Sequence, residues 1–293
     1  MDNENTRRDS EILPKGFVFS QSSLQDYVDC ARRFQLRYIR RLAWPALETQ
    51  EMIEAERLLE QGNRFHQLAQ QDLIGVDVER LESSISDEDL ERWWENYRAY
   101  ATQTLGLEAL QAPQNLFTEV ILSAPVGDYR LVAKYDLLVK QTEGQWLIVD
   151  WKTSRKRPRS KWLHNRMQTY VYPFLFVQAG GELNEGKAIE AELLEMVYWF
   201  SEHPQEMERI AYSAVNFAAD QSFLEGVIRR IADMEAEAFE KTEQVERCAY
   251  CVYRSLCGRG ERAGALVEYE SLGERESGGE FELDFEQIAE IEF

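Results

Sequence analysis

The chain has 293 residues, 44% of them hydrophobic, and a formal net charge of −20. This length suits one large domain or two small ones, and no apolar run reaches the ~18 residues that a membrane span needs. The polar N-terminus carries no apolar signal stretch, so we expect a cytoplasmic protein. Such acidity by itself disfavours a nucleic-acid partner, but the distribution of charge matters more than its sum.

The charge is unevenly distributed along the sequence. Residues 261–293 contain eleven acidic and two basic side chains, which predicts an acidic, flexible tail. Residues 1–16 are polar and are predicted to be disordered. Against this background two stretches are basic: one around Arg32 and Arg33, and the run RKRPRSK at residues 155–161.

Helical patterns occupy the first third of the chain. Residues 19–42 begin with serines and continue with spaced apolar residues, which predicts one capped helix starting at Ser22 or Ser23. Further helical patterns at 46–74 and 87–104 predict a helical insertion at about residues 46–110.

The hydrophobic period changes near residue 116, where alternation replaces the helical pattern. Strands grouped between helices predict one α/β domain at residues 17–260. Pro173 should kink the helix that contains it. The elements predicted after the change are an antiparallel meander of strands at 116–126, 128–140 and 145–154, a helix at 160–181, a strand at 191–202 and a helix near 219–241.

The stretch IVDWKTS, residues 148–154, ends a predicted strand on charged side chains. Because side chains alternate along a strand, Asp150 and Lys152 share one face and Trp151 takes the other. A hairpin turn centred in QTEG would place Asp136 directly across from Asp150. Two carboxylates about 5 Å apart repel each other unless a cation such as Mg²⁺ intervenes. Taken alone, the pattern fits a surface salt bridge equally well.

Four short motifs follow one another along the chain. They are Gly62-Asn-Arg-Phe-His66, then Asp136, then Asp150-Trp-Lys152, then Gln168-Thr-Tyr-Val-Tyr172. Each is weak alone, but their set and order resemble the RecB-like branch of the PD-(D/E)xK nuclease superfamily. The resemblance covers roughly residues 18–260. It implies a restriction-endonuclease-like α/β core, in which helices flank a central mixed β-sheet, with an N-terminal helical segment and a C-terminal cysteine region.

The resemblance also implies a metal site. Asp136 and Asp150 would ligate Mg²⁺ or Mn²⁺ together with the backbone carbonyl of Trp151. His66 would complete the site as a supplementary ligand. On its own, a histidine on a helix has the simpler interpretation of a surface residue.

Further residues acquire roles in the same way. Lys152 would position the attacking water, and Gln168 and Tyr172, four residues apart on one helix face, would lie near the active site. Ordinary helix packing is the alternative for Tyr172. The basic run would contact the phosphate backbone of DNA. Its members are Arg155, Lys156, Arg157, Arg159 and Lys161.

The four cysteines form a further pattern. Cys30 lies near the N-terminus, and Cys248, Cys251 and Cys257 form a C-x2-C-x5-C group. This arrangement resembles that of the iron–sulfur members of the same branch, the AddB-type and CRISPR adaptation nucleases, and implies a 4Fe-4S cluster. A structural zinc, disulfides and free thiols remain as alternatives.

The function implied is a metal-dependent DNA nuclease, an exonuclease on single-stranded ends in repair, recombination or CRISPR adaptation. No P-loop motif occurs, so any unwinding would need a partner such as a helicase or another repair or CRISPR protein. The alternatives are a non-catalytic iron–sulfur DNA-binding or scaffold subunit of a helicase–nuclease complex and, more weakly, an RNA or nucleotide hydrolase.

Overall fold

The computed structural model describes residues 12–43, 50–101, 103, 105, 115–249 and 251–260. The predicted acidic tail at 261–293 lies outside these residues, as does most of the predicted disordered N-terminus. Leu13 is buried in the main core, so the prediction of disorder up to residue 16 is wrong from Leu13 onward.

Six strands and eight helices organise the described part of the chain. The strands are β1 Val18–Ser20, β2 Leu116–Val126, β3 Tyr129–Lys140, β4 Trp146–Lys152, β5 Leu194–Phe200 and β6 Glu208–Ala211. The helices are α1 Gln21–Asp29, α2 Ala31–Phe34, α3 Gln50–Leu73, α4 Val78–Glu82, α5 Glu88–Asn96, α6 Ser160–His164, α7 Met167–Ala179 and α8 Ala214–Ala232. Single π-helical turns extend α2 through Gln35–Ile39 and α5 through Tyr97–Ala101.

The six described strands form one mixed sheet. β3 is antiparallel to β2 and β4 and parallel to β1, whereas β4 runs parallel to β5 and β6 returns antiparallel to β5. The parallel β4–β5 pair needs a crossover connection, and that connection contains α6 and α7. The observed architecture is the central mixed sheet flanked by helices that the sequence predicts.

Side-chain alternation along β4 divides the core into two layers. Trp146 and Ile148 belong to the larger cluster, which contains residues of α1, α7 and α8. Trp151 belongs to the opposite cluster, which contains residues of α3 and α5. There its ring packs edge-on against Tyr97 and Trp199, with ring centres 5.7 and 5.6 Å away. The predicted helical insertion therefore covers one face of the sheet.

The predicted hairpin register is confirmed. Leu137 lies opposite Val149 and Leu138 opposite Ile148, and the ladder ends there. Asp136 and Asp150 are next in that register, at the point where β3 and β4 separate.

The alternation of β3 reverses at Asp136. Tyr135 and Leu138 face the same core cluster, although an uninterrupted strand would place them on opposite faces. In β2, Glu119 has a φ of +55°, and the register passes from Thr118 to Val120 without pairing Glu119 with Asp136. Glu119 and Asp136, one unpaired residue on each strand, form a bulge. A bulge re-aims side chains and bends the strand. Because this irregular stretch lies next to the end of the β3–β4 ladder, Asp136 is located where β3 and β4 separate.

The N-terminal prediction of one helix over 19–42 is wrong. Ser20 ends the short strand β1 and caps α1 by accepting from the Ser23 N–H, so the helix begins earlier than Ser22. The helix then ends at Cys30, whose backbone is extended, with φ −164° and ψ 104°. A three-residue strand carries too little periodicity to be seen in sequence, and the break follows no glycine or proline.

Two other boundaries differ from the prediction. The helix expected at 160–181 is divided into α6 and α7 by a break at Asn165 and Arg166, whereas α7 continues through Pro173. The helix expected near 219–241 ends at Ala232. Within the described chain, no helix combines the length and apolar character that crossing a bilayer requires.

Asp220 of α8 makes stability depend on pH. It is buried, accepts a hydrogen bond from the Tyr212 hydroxyl at 2.8 Å, and burial raises its pKa to about 6. The folded state therefore binds a proton more readily than the unfolded chain, so the contribution of Asp220 to stability falls as pH rises from about 4 to about 6. We expect Asp220→Asn to raise Tm by a few degrees near pH ~7, with a smaller gain near pH ~5.

Thermal denaturation followed by circular dichroism measures this difference. The matched control is Asp128→Asn, at an exposed turn residue, which should leave Tm unchanged at both pH values. If Asp220→Asn does not raise Tm, or raises it equally at both pH values, burial does not raise the pKa of Asp220.

Candidate active site

Three buried polar side chains meet between β4 and α7. Asp150, Lys152 and Gln168 are 3%, 5% and 3% exposed. The Lys152 Nζ lies 2.9 Å from the Asp150 Oδ2 and donates to the Gln168 Oε1 at 3.1 Å. The Gln168 amide in turn donates to the Asp150 Oδ1. The three contacts close a ring in which both charges are compensated, as burial of charge requires.

Local structure fixes the members of this ring. Alternation on β4 turns Asp150 and Lys152 to the α7 side of the sheet, as predicted, while Trp151 packs in the opposite layer. Gln168 is the second residue of α7. The first N–H of that helix, from Met167, donates to the Gln25 Oε1 of α1 at 2.9 Å. A buried side chain of α1 thus holds the start of the helix that carries Gln168.

Asp136 and His66 form a second contact beside the ring. The Asp136 Oδ1 lies 3.1 Å from the His66 Nδ1, and the Asp136 Oδ2 accepts from the Trp151 N–H at 3.0 Å. Since the β3–β4 ladder ends at Leu137 and Val149, the Asp136 carboxylate supplies the acceptor that the Trp151 N–H needs. The motif histidine on α3 therefore meets the first motif aspartate, as the resemblance implies.

The Asp136–His66 contact is electrostatically strong. Burial acts to lower the pKa of His66, but the carboxylates of Asp136 and Asp150 together outweigh it and leave that pKa above its ordinary value. Burial also acts to raise the pKa of Asp136, yet His66, the Trp151 N–H and Lys152 together hold it below its ordinary value. Asp136 is therefore ionised at neutral pH, in the state that a cation requires.

The donor set fits a divalent cation in part. Among the described residues, no three His, Cys, Asp or Glu side chains are already arranged around a common metal position. Asp136 and Asp150 instead contact His66, Lys152 and Gln168. However, the His66 Nε2 is buried without a hydrogen-bond partner, and each carboxylate oxygen has a second lone pair. A metal held by Asp136 and Asp150 would replace some of these protein contacts.

Tyr172 contacts the core and not the ring of Asp150, Lys152 and Gln168 in the contacts described for it. It is 6% exposed, and its ring centre lies 4.8 Å from that of Tyr135, whose hydroxyl donates to the Tyr172 carbonyl at 2.9 Å. These contacts are those of a core residue that anchors α7 on β3. A role near the active site remains a prediction.

The predicted DNA-contacting run is partly neutralised by acids. Arg155 pairs with Asp89 at 3.2 Å and Arg157 with Glu208 at 2.8 Å. The remaining members of the run are exposed: Lys156, Arg159 and Lys161. The acidic partners reduce the positive field that this run alone would create.

The four cysteines line one cavity. The break after α1 turns Cys30 toward the C-terminal group, and none of the four cysteines forms a disulfide. Burial raises the pKa of both Cys248 and Cys257, and the neighbouring Cys251 adds to the effect. Four clustered thiols would ionise together only with compensating positive charge. The same cavity is also lined by cationic side chains, namely Arg33, Lys241, Arg254 and Arg259.

Two residues near the site, Gln25 and Glu119, do not belong to any of the four sequence motifs. Gln25 acts through one hydrogen bond to α7, and nothing in its surroundings in sequence distinguishes it from a surface glutamine. Glu119 lies opposite Asp136 with a strained backbone and forms an ion pair with Lys134. Its only signal in sequence is its place on the strand next to that of Asp136.

A central mixed sheet flanked by helices is the architecture of the restriction-endonuclease-like core. The family model "PD-(D/E)XK nuclease superfamily" matches residues 18–258, and the chain belongs to this superfamily. Membership implies hydrolysis of phosphodiester bonds.

Other comparisons are more distant. The structure of SSO0001 is 17% identical, with 85% of this chain and 88% of that chain covered at a TM-score of 0.39. A structure described as "Putative exonuclease" from Eubacterium rectale is 8% identical, with 73% and 79% covered at a TM-score of 0.44. No curated protein matches the chain significantly. Since both TM-scores are low, the assignment rests on the family match.

The buried ring predicts strong coupling between Asp150 and Lys152. Lys152→Met leaves the Asp150 charge buried without its ammonium partner, so we expect a loss of about 3 kcal/mol in the free energy of unfolding. Asp150→Asn combined with Lys152→Met removes both charges and should recover most of this loss. Urea denaturation without divalent metal measures both variants.

The double variant decides the outcome. If it is as unstable as Lys152→Met, the loss comes from packing around the lysine stem, and the two charges do not stabilise each other.

Proposed function

We propose that this protein is a Mg²⁺- or Mn²⁺-dependent DNA nuclease of the RecB-like branch, acting as an exonuclease on single-stranded ends. The observation that carries the proposal is the buried ring of Asp150, Lys152 and Gln168 beside the Asp136–His66 contact. A strand end with a surface salt bridge would lie in solvent. This cluster is buried, in a chain that belongs to a nuclease superfamily.

Four groups would hold the divalent ion. They are the carboxylates of Asp136 and Asp150, the backbone carbonyl of Trp151, and His66 as a supplementary ligand. When bound, the ion would polarise the phosphoryl oxygen and lower the pKa of an attacking water. The ionised state of Asp136 supports this use, and the unpartnered His66 Nε2 supports a ligand at that nitrogen.

Lys152 and Gln168 would act on the water and the phosphate. The Lys152 ammonium, fixed by Asp150 and Gln168, presents a positive charge beside the reacting phosphate and can orient the attacking water. Gln168 holds both the lysine and the carboxylate, so it keeps the distance between them constant. Preorganised charge of this kind acts without reorganisation during the reaction.

We further propose that Cys30, Cys248, Cys251 and Cys257 would hold a 4Fe-4S cluster, although among the described residues no three cysteines are already grouped around one metal position. Four thiols on one cavity match the ligand number of such a cluster. The cationic lining compensates the negative charge of a thiolate-ligated cluster. The cluster would fasten the N-terminal segment to the C-terminal one and thereby close the domain around DNA, a structural role.

The pathway is proposed from the resemblance. DNA repair, recombination and CRISPR adaptation all need the processing of single-stranded ends, and a helicase or another protein of these pathways would expose such ends. The basic side chains of the run would contact the phosphate backbone; they are Arg155, Lys156, Arg157, Arg159 and Lys161.

The second candidate is a non-catalytic DNA-binding or scaffold subunit. It is favoured by one observation, namely that the described carboxylates contact protein groups and form no ready metal position. A superfamily member that has lost catalysis has no need of the buried Asp150–Lys152 pair, which disfavours this alternative.

The activity test compares purified wild-type protein with three variants on end-labelled single-stranded DNA in Mn²⁺. We expect wild type to degrade the DNA, and Asp136→Asn, Asp150→Asn and Lys152→Met to lower the rate by at least ~100-fold, since each removes a metal ligand or a fixed charge.

Asp128→Asn, at the exposed β2–β3 turn, is the matched acidic control and should retain full activity. Circular dichroism checks that each variant is folded. Degradation that persists in both Asp150→Asn and Lys152→Met would exclude this site, and a wild type that binds DNA without cleaving it would favour the scaffold subunit.

The cluster test is made on protein purified without oxygen. We expect a brown protein whose thiolate-to-iron absorption in the visible region accompanies about four iron and four sulfide per chain. Cys251→Ser, at the most buried of the four thiols, should lose this absorption. Stoichiometric zinc in a colourless protein would replace the iron–sulfur assignment with a structural zinc.

A further inference from the structure

A small cavity opens beside the buried ring. Two members of the ring, Lys152 and Gln168, form part of its lining, and Pro158, Trp162 and Arg166 form another part. The cavity is large enough for no more than about one water molecule, so a larger ligand would lie at the surface beside it, close to the phosphate that Lys152 would contact.

Trp162 differs from the other described tryptophans. It is only half-buried, whereas the other described tryptophans are at most 2% exposed. The guanidinium carbon of Arg166 lies 4.6 Å from the centre of the indole ring. The short break between α6 and α7 makes this contact, because it brings a residue of α6 against the N-cap residue of α7.

A partly exposed indole with a stacked guanidinium suits one class of ligand. Nucleobases stack on aromatic rings and on arginine planes, and they do so with little regard to sequence because every base has a π-face. A paired base within a duplex already stacks on its neighbours, so such a surface selects unpaired bases.

The geometry points to a stacking subsite formed by Trp162 and Arg166 for one unpaired nucleobase of DNA. The base would belong to a nucleotide adjacent to the scissile phosphate, because Trp162, Arg166 and Lys152 line the same small cavity. This inference rests on the proposed nuclease function and adds to it the reason for a preference for single strands. Trp162 is a binding residue in this assignment and takes no part in the chemistry.

The alternative role for Trp162 is purely structural, since it also packs against the main core. Two substitutions separate the roles. Trp162→Phe keeps both an aromatic face and apolar packing, whereas Trp162→Leu keeps apolar packing alone. Phe223→Leu is the matched control, because Phe223 of α8 is 41% exposed and is not among the residues that line the cavity.

The experiment uses single-stranded oligonucleotides that each carry one abasic nucleotide, moved stepwise along the chain. We expect the wild-type kcat/KM in Mn²⁺ to fall about tenfold when the abasic nucleotide lies next to the cleaved bond. Trp162→Leu should cleave the intact and abasic strands equally. Trp162→Phe and Phe223→Leu should retain the wild-type discrimination.

A second measurement determines binding of the same labelled oligonucleotides by fluorescence anisotropy in metal-free buffer. There we expect tighter binding of the intact strand by wild type and equal binding of both strands by Trp162→Leu. Equal cleavage and equal binding of intact and abasic strands by wild type would overturn the subsite while leaving the nuclease assignment untouched. If no DNA is cleaved, the nuclease proposal fails, and the binding comparison alone decides the subsite.

Discussion

The buried ring of Asp150, Lys152 and Gln168 is the interaction on which the site depends. A carboxylate and an ammonium can remain ionised at this depth only if each compensates the other and the remaining polar atoms are hydrogen-bonded. That condition fixes β4 against the start of α7, and through Gln25 it also fixes α1. An N-terminal helix and two central elements of the described chain therefore converge on one pair of charges.

A second constraint places Asp136 beside this ring. The bulge opposite Glu119 reverses the alternation of β3, so the strand can contribute Tyr135 to the core and Asp136 to the opening of the sheet. Ending the β3–β4 ladder leaves the Trp151 N–H without a main-chain partner on β3, and the Asp136 carboxylate accepts from it. The unfavourable backbone conformation of Glu119 thus lies opposite Asp136, where the site requires an irregular strand.

The sequence predicted local structure correctly where its hydrophobic periodicity was strong. It predicted the three central strands, the register between Leu137 and Val149, and the face shared by Asp150 and Lys152, because side-chain alternation determines all three. It failed at Cys30, at the α6–α7 break and at β1, since these depend on tertiary contacts or on segments too short for periodicity. The Gln25 hydrogen bond and the acidic partners of Arg155 and Arg157 join residues far apart in sequence, so local pattern carries no information about them.

We infer that Asp136 and Asp150 jointly ligate a divalent ion by exchanging some of their protein contacts. Anomalous diffraction from crystals of the whole chain grown with Mn²⁺ tests it most directly. We expect a single manganese position, or two adjacent ones, in contact with both carboxylates, and loss of that signal in Asp150→Asn. Crystals that show no manganese at these carboxylates while DNA is still cleaved in solution would contradict it.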